Sequence, residues 1–243
     1  MRTLLVIGVA AIASSIAAAN PVIISDNDFV GPLWSSSRVF IFPFADCGHT
    51  DTVEAIRRTS GGISGAYLEI RNTIGTSFTP CAAPTFSEAF HAFTGATYDP
   101  AVSGAIQSIN YSDSRRVLSG SLNPSIPTVH ALALRQGNTV YVCTAGPTGP
   151  IFAWSTFLLN GLTNASFNAS PLGFIPPDFS ANGQPIQFGI YQVGASSGST
   201  PHTIAMYLDN FRVEITPVPQ PCPADFTNDG FVDDADFVFF ADA

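Results

Sequence analysis

Between residues 39 and 215 the apolar residues come in short runs, and the runs end at Gly, Pro, Ser or Asn. Val39-Phe40-Ile41-Phe42 stops at Pro43, and Ala66-Tyr67-Leu68-Glu69-Ile70-Arg71 alternates. In that second run Ala66, Leu68 and Ile70 share one face of an extended chain, and Tyr67, Glu69 and Arg71 share the other. Residues 105–111 alternate again, and further apolar runs occupy 152–158, 186–193, 202–208 and 211–215. Runs this short cannot build a helix with a buried face. Residues 129–135 and 139–144 flank Gln136-Gly137-Asn138, a hairpin signal that sets Leu134 opposite Tyr141. Many short strands joined by such turns predict an all-β body, a sandwich or jelly roll.

The chain divides into four parts. Residues 1–19 have Arg2, an apolar stretch at 4–13 and the small residues Ala17-Ala18-Ala19, the pattern of a signal peptide. The stretch falls short of the ~20 apolar residues that span a bilayer, so cleavage is expected rather than an anchor. The remainder is then secreted or at the cell surface, with no membrane span. Residues 20–216 are the β-sandwich domain, 217–223 a proline-spaced linker, and 224–243 an acidic tail.

Charge narrows the chemistry. Charged residues make up 11% of the chain, against ~25% in an average soluble protein. The nine basic residues are all arginine and there is no lysine. That excludes a lysine Schiff-base enzyme and a P-loop nucleotidase. The net charge of −9 excludes a nucleic-acid partner, because an acidic surface repels phosphate. Past the signal, eight arginines face eighteen acids, and six of those acids lie in the tail, which has no arginine. Acidity gathered at one end suits cation binding.

The tail reads as a twelve-residue calcium loop. Asp225 takes the first position, Thr227 the third, Asp229 the fifth, Phe231 the seventh through its carbonyl, Asp233 the ninth and Asp236 the twelfth. Gly230 stands where the chain must turn, and Val232 packs behind the loop. Ca2+ takes six to eight oxygens, which this set supplies. Thr227 is neutral where Asp or Asn is usual, and Asp236 is one carbon shorter than the usual Glu. These residues resemble the calcium repeat of type I dockerins, an EF-hand-like motif. The resemblance implies Ca2+ as cofactor and, for a module completed by a second repeat, a cohesin-like partner. Residues 237–243 read as the start of the helix after the loop, so the module is expected to be incomplete. The competing reading is an acidic tail without a fold.

Three stretches of the body resemble secreted bacterial jelly-roll modules of the concanavalin-A-like or laminin type. They are Asp28-Phe29 with Trp34, Gly61-Gly62-Ile63-Ser64-Gly65-Ala66-Tyr67-Leu68, and Leu208-Asp209-Asn210-Phe211-Arg212-Val213. The resemblance implies a sandwich that binds a polysaccharide or cell-surface glycan. Sugar rings stack on exposed aromatic faces beside polar groups. The ligand-binding candidates are therefore Trp34, Tyr67, Glu69 and Arg71, drawn from a wider set with Tyr98, Tyr111, Tyr141, Trp154 and Tyr191. Trp154, set between Phe152 and Phe157, is expected in the core. The alternative for Tyr67, Glu69 and Arg71 is a solvated strand face with a surface ion pair. Asp28, Asp209 and Asn210 are candidates for a structural calcium, the alternative being a turn at Asp209-Asn210 before the last strand.

In an exported chain Cys47, Cys81, Cys143 and Cys222 are free to form disulfides. Cys47 and Cys81 lie in turn-rich segments and are expected to pair first, though four cysteines allow three pairings. No C-x-x-C spacing suggests zinc. His49, His91, His130 and His202 are scattered, and Glu54, Glu69, Glu88 and Glu214 do not cluster. The expectation is an exported, non-catalytic binding or display protein. The alternatives are a structural extracellular or cell-surface protein without a small ligand, and a diverged secreted glycan hydrolase.

Overall fold

The computed structural model describes residues 20–29, 31–42, 51–75, 85–117, 129–145, 153–171, 173–196 and 202–219. Residues 1–19 and 220–243, with Cys47, Cys81 and Cys222, lie outside them. Among the described residues period-two alternation becomes twelve strands. They are β1 (Val22–Asp26), β2 (Trp34–Phe42), β3 (Thr52–Arg58), β4 (Tyr67–Ile74), β5 (Thr85–Phe93), β6 (Ile106–Val117), β7 (Val129–Gln136), β8 (Thr139–Cys143), β9 (Ser155–Leu162), β10 (Phe167–Ser170), β11 (Ile186–Ser196) and β12 (His202–Pro217).

The strands form two antiparallel sheets within the unit Pro21–Pro217. One runs β3-β4-β12-β6-β9, and β1 also pairs with β12. The other runs β10-β8-β7-β11-β5-β2. Strand β12 organises the first sheet. Along one edge its first half pairs with β4 and its second half with β1, and along the other edge it pairs with β6. Leu68, Ile70, Met206, Leu208, Phe211 and Val213 from this sheet pack against Phe93, Leu132, Leu134, Phe188 and Ile190 from the other. The result is a jelly-roll β-sandwich, as the alternation predicted.

Leu134 lies opposite Tyr141, and Gly137 takes φ +60° at the first loop position, which a type II′ hairpin turn demands of it. Four strands were not legible as separate runs: β1, β3, β5 and β10. A four-residue helix, α1 (Pro100–Ser103), also went unread, although Asp99 caps the Ala101 N–H and proline opens it. Pro217 is the last residue of β12, opposite Ile106, so the first proline of the proline-spaced stretch ends a strand.

Residues 202–208 and 211–215 are one strand rather than two. Asp209 pairs with Ser114 and Arg212 with Ser112, so Asn210 and Phe211 oppose the single residue Asp113. This is a bulge. Asn210 takes φ +53°, a left-handed conformation that asparagine tolerates. The Asp209 carboxylate fixes the place. Its Oδ2 accepts the N–H groups of Ile63 (2.6 Å) and Ser64 (3.3 Å), and its Oδ1 accepts the Ser64 hydroxyl (3.2 Å) and the Asn210 N–H (2.8 Å). A Cβ on Gly62 would stand 2.6 Å from the Ala66 carbonyl oxygen and 2.7 Å from Asp209 Oδ2, so the glycine-rich approach to β4 lets the loop close on the carboxylate.

One end of the interior is polar. Arg115 is fully buried, pairs with Asp113, donates to the His130 carbonyl at 2.8 Å and lies over the Phe157 ring. The Tyr111 hydroxyl donates to the same Asp113 carboxylate. Burial opposes the Arg115 charge, but Asp113 and Tyr111 outweigh it and hold the guanidinium above its ordinary pKa. His91 is bonded to Ser36 Oγ (2.8 Å) and Gln192 Oε1 (3.2 Å). Both ring nitrogens of His130 are buried without a hydrogen-bond partner.

Burial lowers His91 to about 4, and burial with the nearby Arg115 and His91 lowers His130 to about 3. Both rings are neutral in the folded state, whereas the unfolded chain protonates them near ~6.5. Their contribution is therefore intact above that pH and is lost as pH falls toward the folded values. We expect stability to drop by on the order of 2 kcal/mol per histidine by about pH 5. Denaturant unfolding at stepped pH checks this, and a midpoint that stays flat from neutrality to pH 5 would contradict it.

Candidate functional site

Trp34 is not the open stacking ring expected of it. It is half-buried between the sheets, its indole N–H donates to Asp26 Oδ2 (2.8 Å), and its ring meets Phe211 at 5.0 Å and Phe93 at 5.5 Å. Strand β2 turns Trp34 and Ser36 inward, which the local sequence does not reveal. Trp154 shows the opposite error. It was expected in the core, but it stands on the outer face of the first sheet beside Tyr67 and Tyr207.

Tyr67, Glu69 and Arg71 do share one face of β4, the outer one, but that face is closed on itself. Tyr67 is buried against Tyr207 at 4.6 Å and Trp154 at 5.9 Å. Glu69 is 1% exposed, and its two oxygens accept Arg58 Nε–H (2.6 Å) and Arg71 Nε–H (2.5 Å). The Arg116 guanidinium lies 5.0 Å from the Tyr207 ring and 5.7 Å from the Trp154 ring. Burial, with Tyr207 and Glu69 beside it, raises the Tyr67 hydroxyl above its ordinary pKa. Acceptors and rings here are spent on partners within the chain.

An open cleft lies on the outer face of the second sheet. It encloses about 450 Å3, and Glu88, Ala131, Val142, Asn168, Ser170 and Tyr191 contribute to its lining. Register explains the hollow. Tyr191 on β11 pairs with Ala131 on β7 and Phe90 on β5, and the small Ala131 leaves space beside the tyrosine ring. Three polar groups converge there from three strands. Ser170 Oγ–H donates to Glu88 Oε2 at 2.5 Å, and Ser170 Oγ is 3.1 Å from the Tyr191 hydroxyl. With the serine proton given to Glu88, the tyrosine O–H donates to the serine oxygen. Burial first, and then Glu88, push the Tyr191 hydroxyl far above its ordinary pKa, so it remains protonated. Of this cluster the sequence reading named only Tyr191 as a ligand candidate. The available signal was Glu88, the one charge on the Phe86-Glu88-Phe90 face of β5.

The first and last strands pair, but Asp28 and Asp209 differ in setting. Asp28 is exposed, whereas Asp209 is buried with donors on both oxygens. It is Asp26 that lies buried beside β12, opposite Phe211, accepting from Phe29 N–H and Trp34. Among the described residues no group of three His, Cys, Asp or Glu side chains could hold a metal ion. Asp225, Thr227, Asp229, Phe231, Asp233 and Asp236 lie outside the described residues. Cys143 is buried, with its thiol bonded to the Ala145 carbonyl at 3.3 Å.

No family model and no curated protein matches the chain. Among solved structures it is similar to the CBM22-1 xylan-binding domain from Paenibacillus barcinonensis, at 12% identity over 83% of this chain and 99% of that one, with a TM-score of 0.38. It is similar to the C-terminal family 22 carbohydrate-binding module of Clostridium thermocellum, at 11% identity over 81% and 95%, with a TM-score of 0.40. A mannan-recognising carbohydrate-binding module is similar at 8% identity over 74% and 98%, with a TM-score of 0.28.

The two outer faces make different demands on substitution. Glu69→Gln leaves Arg58 and Arg71 without their carboxylate, so it is expected to lower the melting temperature while leaving any saccharide affinity unchanged. Thermal melts paired with binding titrations check this, and an affinity loss in a variant that melts like the wild type would return the site to the β4 face.

Proposed function

We propose that the sandwich is a non-catalytic module that holds a neutral polysaccharide in the cleft floored by Tyr191. The observation that carries this is the meeting of Glu88, Ser170 and Tyr191 beside Ala131 and Val142 in one solvent-open hollow. Sugars present hydroxyl edges and apolar ring faces, and this lining offers the remaining lone pairs of Glu88 and Tyr191 with the Asn168 amide for the first, and Ala131 and Val142 for the second. A carboxylate in an acidic protein disfavours anionic sugars, which makes the ligand neutral. Among the described lining residues Glu88 is the one carboxylate. Hydrolysis by the usual route takes two, set ~5–9.5 Å apart. The reading is therefore retention without cleavage.

The cleft is tested by affinity electrophoresis and calorimetry on a panel of neutral polysaccharides. The panel includes xylan and mannan, which the similar modules are described as binding. Tyr191→Phe and Glu88→Gln are each expected to weaken binding about tenfold, the worth of one hydrogen bond to a charged or buried group. Wild-type protein that binds nothing on the panel would leave the structural reading in place, and release of reducing ends would favour the hydrolase.

The proposal extends to an exported chain whose residues 225–236 gather around Ca2+. Their support is the spacing of Asp225, Asp229, Asp233 and Asp236 about Gly230. Carboxylates so close repel one another until a divalent ion neutralises them. A cohesin-like protein is the partner such a loop implies. Calcium titration of the full chain is expected to release heat that Asp225→Ala with Asp229→Ala abolishes, and equal heats would remove the calcium loop.

A further inference from the structure

The segment after β10 joins two hollows. Pro171 and Gly173 line the Tyr191 cleft, whereas Pro177 and Asp178 line a second hollow of about 470 Å3, to which Gln107, Thr163 and Asn164 also contribute. Between these ends Phe174 is 93% exposed and Ile175 is 63% exposed. Gly173 and Ile175 are pinned to the sheet edge at Ala169. Gly173 N–H donates to the Ala169 carbonyl (2.8 Å), Ala169 N–H to the Ile175 carbonyl (3.2 Å), and Ile175 N–H to the Gly173 carbonyl (2.7 Å). An aromatic ring held almost wholly in water, in a stretch whose two ends line hollows with mixed polar and apolar walls, is placed to stack on a ligand.

Building on the cleft reading, we infer that the ligand is bound along its length and not by its end. A linear neutral polysaccharide runs from the Glu88–Ser170–Tyr191 cluster, over Phe174, into the second hollow. There the Asn164 amide and Thr163 hydroxyl meet its hydroxyls. The second hollow contains Asp178, whose carboxylate lies below its ordinary pKa because Ser180 bonds to it, so an acidic sugar is disfavoured there too.

The experiment is calorimetry with a disaccharide and a hexasaccharide of whichever polysaccharide the wild type retains. Wild-type affinity is expected to rise with length. Phe174→Ala and Asn164→Ala each remove about tenfold for the hexasaccharide, and neither changes the disaccharide. Both positions are exposed, so melting temperatures stay at the wild-type value. Equal binding of the hexasaccharide by Phe174→Ala and wild type would overturn the inference and leave the cleft standing. Wild type that binds neither length would overturn both. Phe174-dependent sedimentation with phosphatidylcholine vesicles, without any length effect, would assign this stretch to a lipid surface and overturn the inference as well.

Discussion

Parity along β12 is the constraint on which the sandwich depends. Side chains on a strand alternate, so a shift of one residue turns a buried face to solvent. Leu208 and Phe211 are both fully buried although three positions separate them. The bulge at Asn210–Phe211 supplies the extra residue that returns Phe211, Val213 and Ile215 to the core and sends Arg212 and Glu214 outward, where they pair at 2.7 Å. Without it the second half of β12 would present three large apolar residues to water. At ~1.5–3 kcal/mol each, that loss is comparable to the whole stability of a domain this size. The bulge is therefore held from outside its own strand. Asp209 reaches across to the Ile63 and Ser64 amides, and Gly62 leaves room for the loop to sit there.

The same economy separates structural polarity from polarity open to a ligand. Asp113, Arg115 and Tyr111 satisfy one another inside the sandwich, and Glu69 is satisfied by Arg58 and Arg71 outside it. A buried group with all its partners in the chain stabilises position and has nothing left to offer. His130 differs, because its ring nitrogens are buried and unbonded. That tolerable state requires the neutral ring, which links the fold to acidity.

Alternation was enough to recover the architecture, because a half-buried strand writes its two faces into the sequence with period two. It was not enough to recover which face is which. Trp34 and Trp154 were assigned in reverse, since inward and outward are set by the register of β2 with β5 and by where β9 begins. Asp209-Asn210 reads locally as a turn, and only the pairing with β6 shows that the strand continues through it. The β4 face was read correctly as a shared face, yet its closure depends on Arg116, Trp154 and Tyr207, which arrive from three other segments. The Glu88–Ser170–Tyr191 cluster was out of reach for the same reason. Its members are 82 and 21 residues apart in the chain and meet because β10, β5 and β11 present one surface.

What the cleft offers is therefore vacancy beside polarity, and small residues produce it. Ala131 on β7 faces Tyr191 where a larger residue would fill the hollow, and Ala133 follows in the same file under Val142. Antiparallel sheets usually solvate an outer face with long charged side chains. Here the central strands carry Phe90, Ala131, Ala133, Val142 and Tyr191 on that side, with Glu88 the one carboxylate among the described cleft residues and the Arg135 guanidinium laid over the Phe90 ring. A surface so composed gains nothing for the fold by staying open, since filling it would bury apolar area at ~25 cal/mol per Å2. The proposed occupant supplies what the fold does not, since a neutral sugar would cover the apolar wall with its ring face and meet the hydroxyl and carboxylate with its edge.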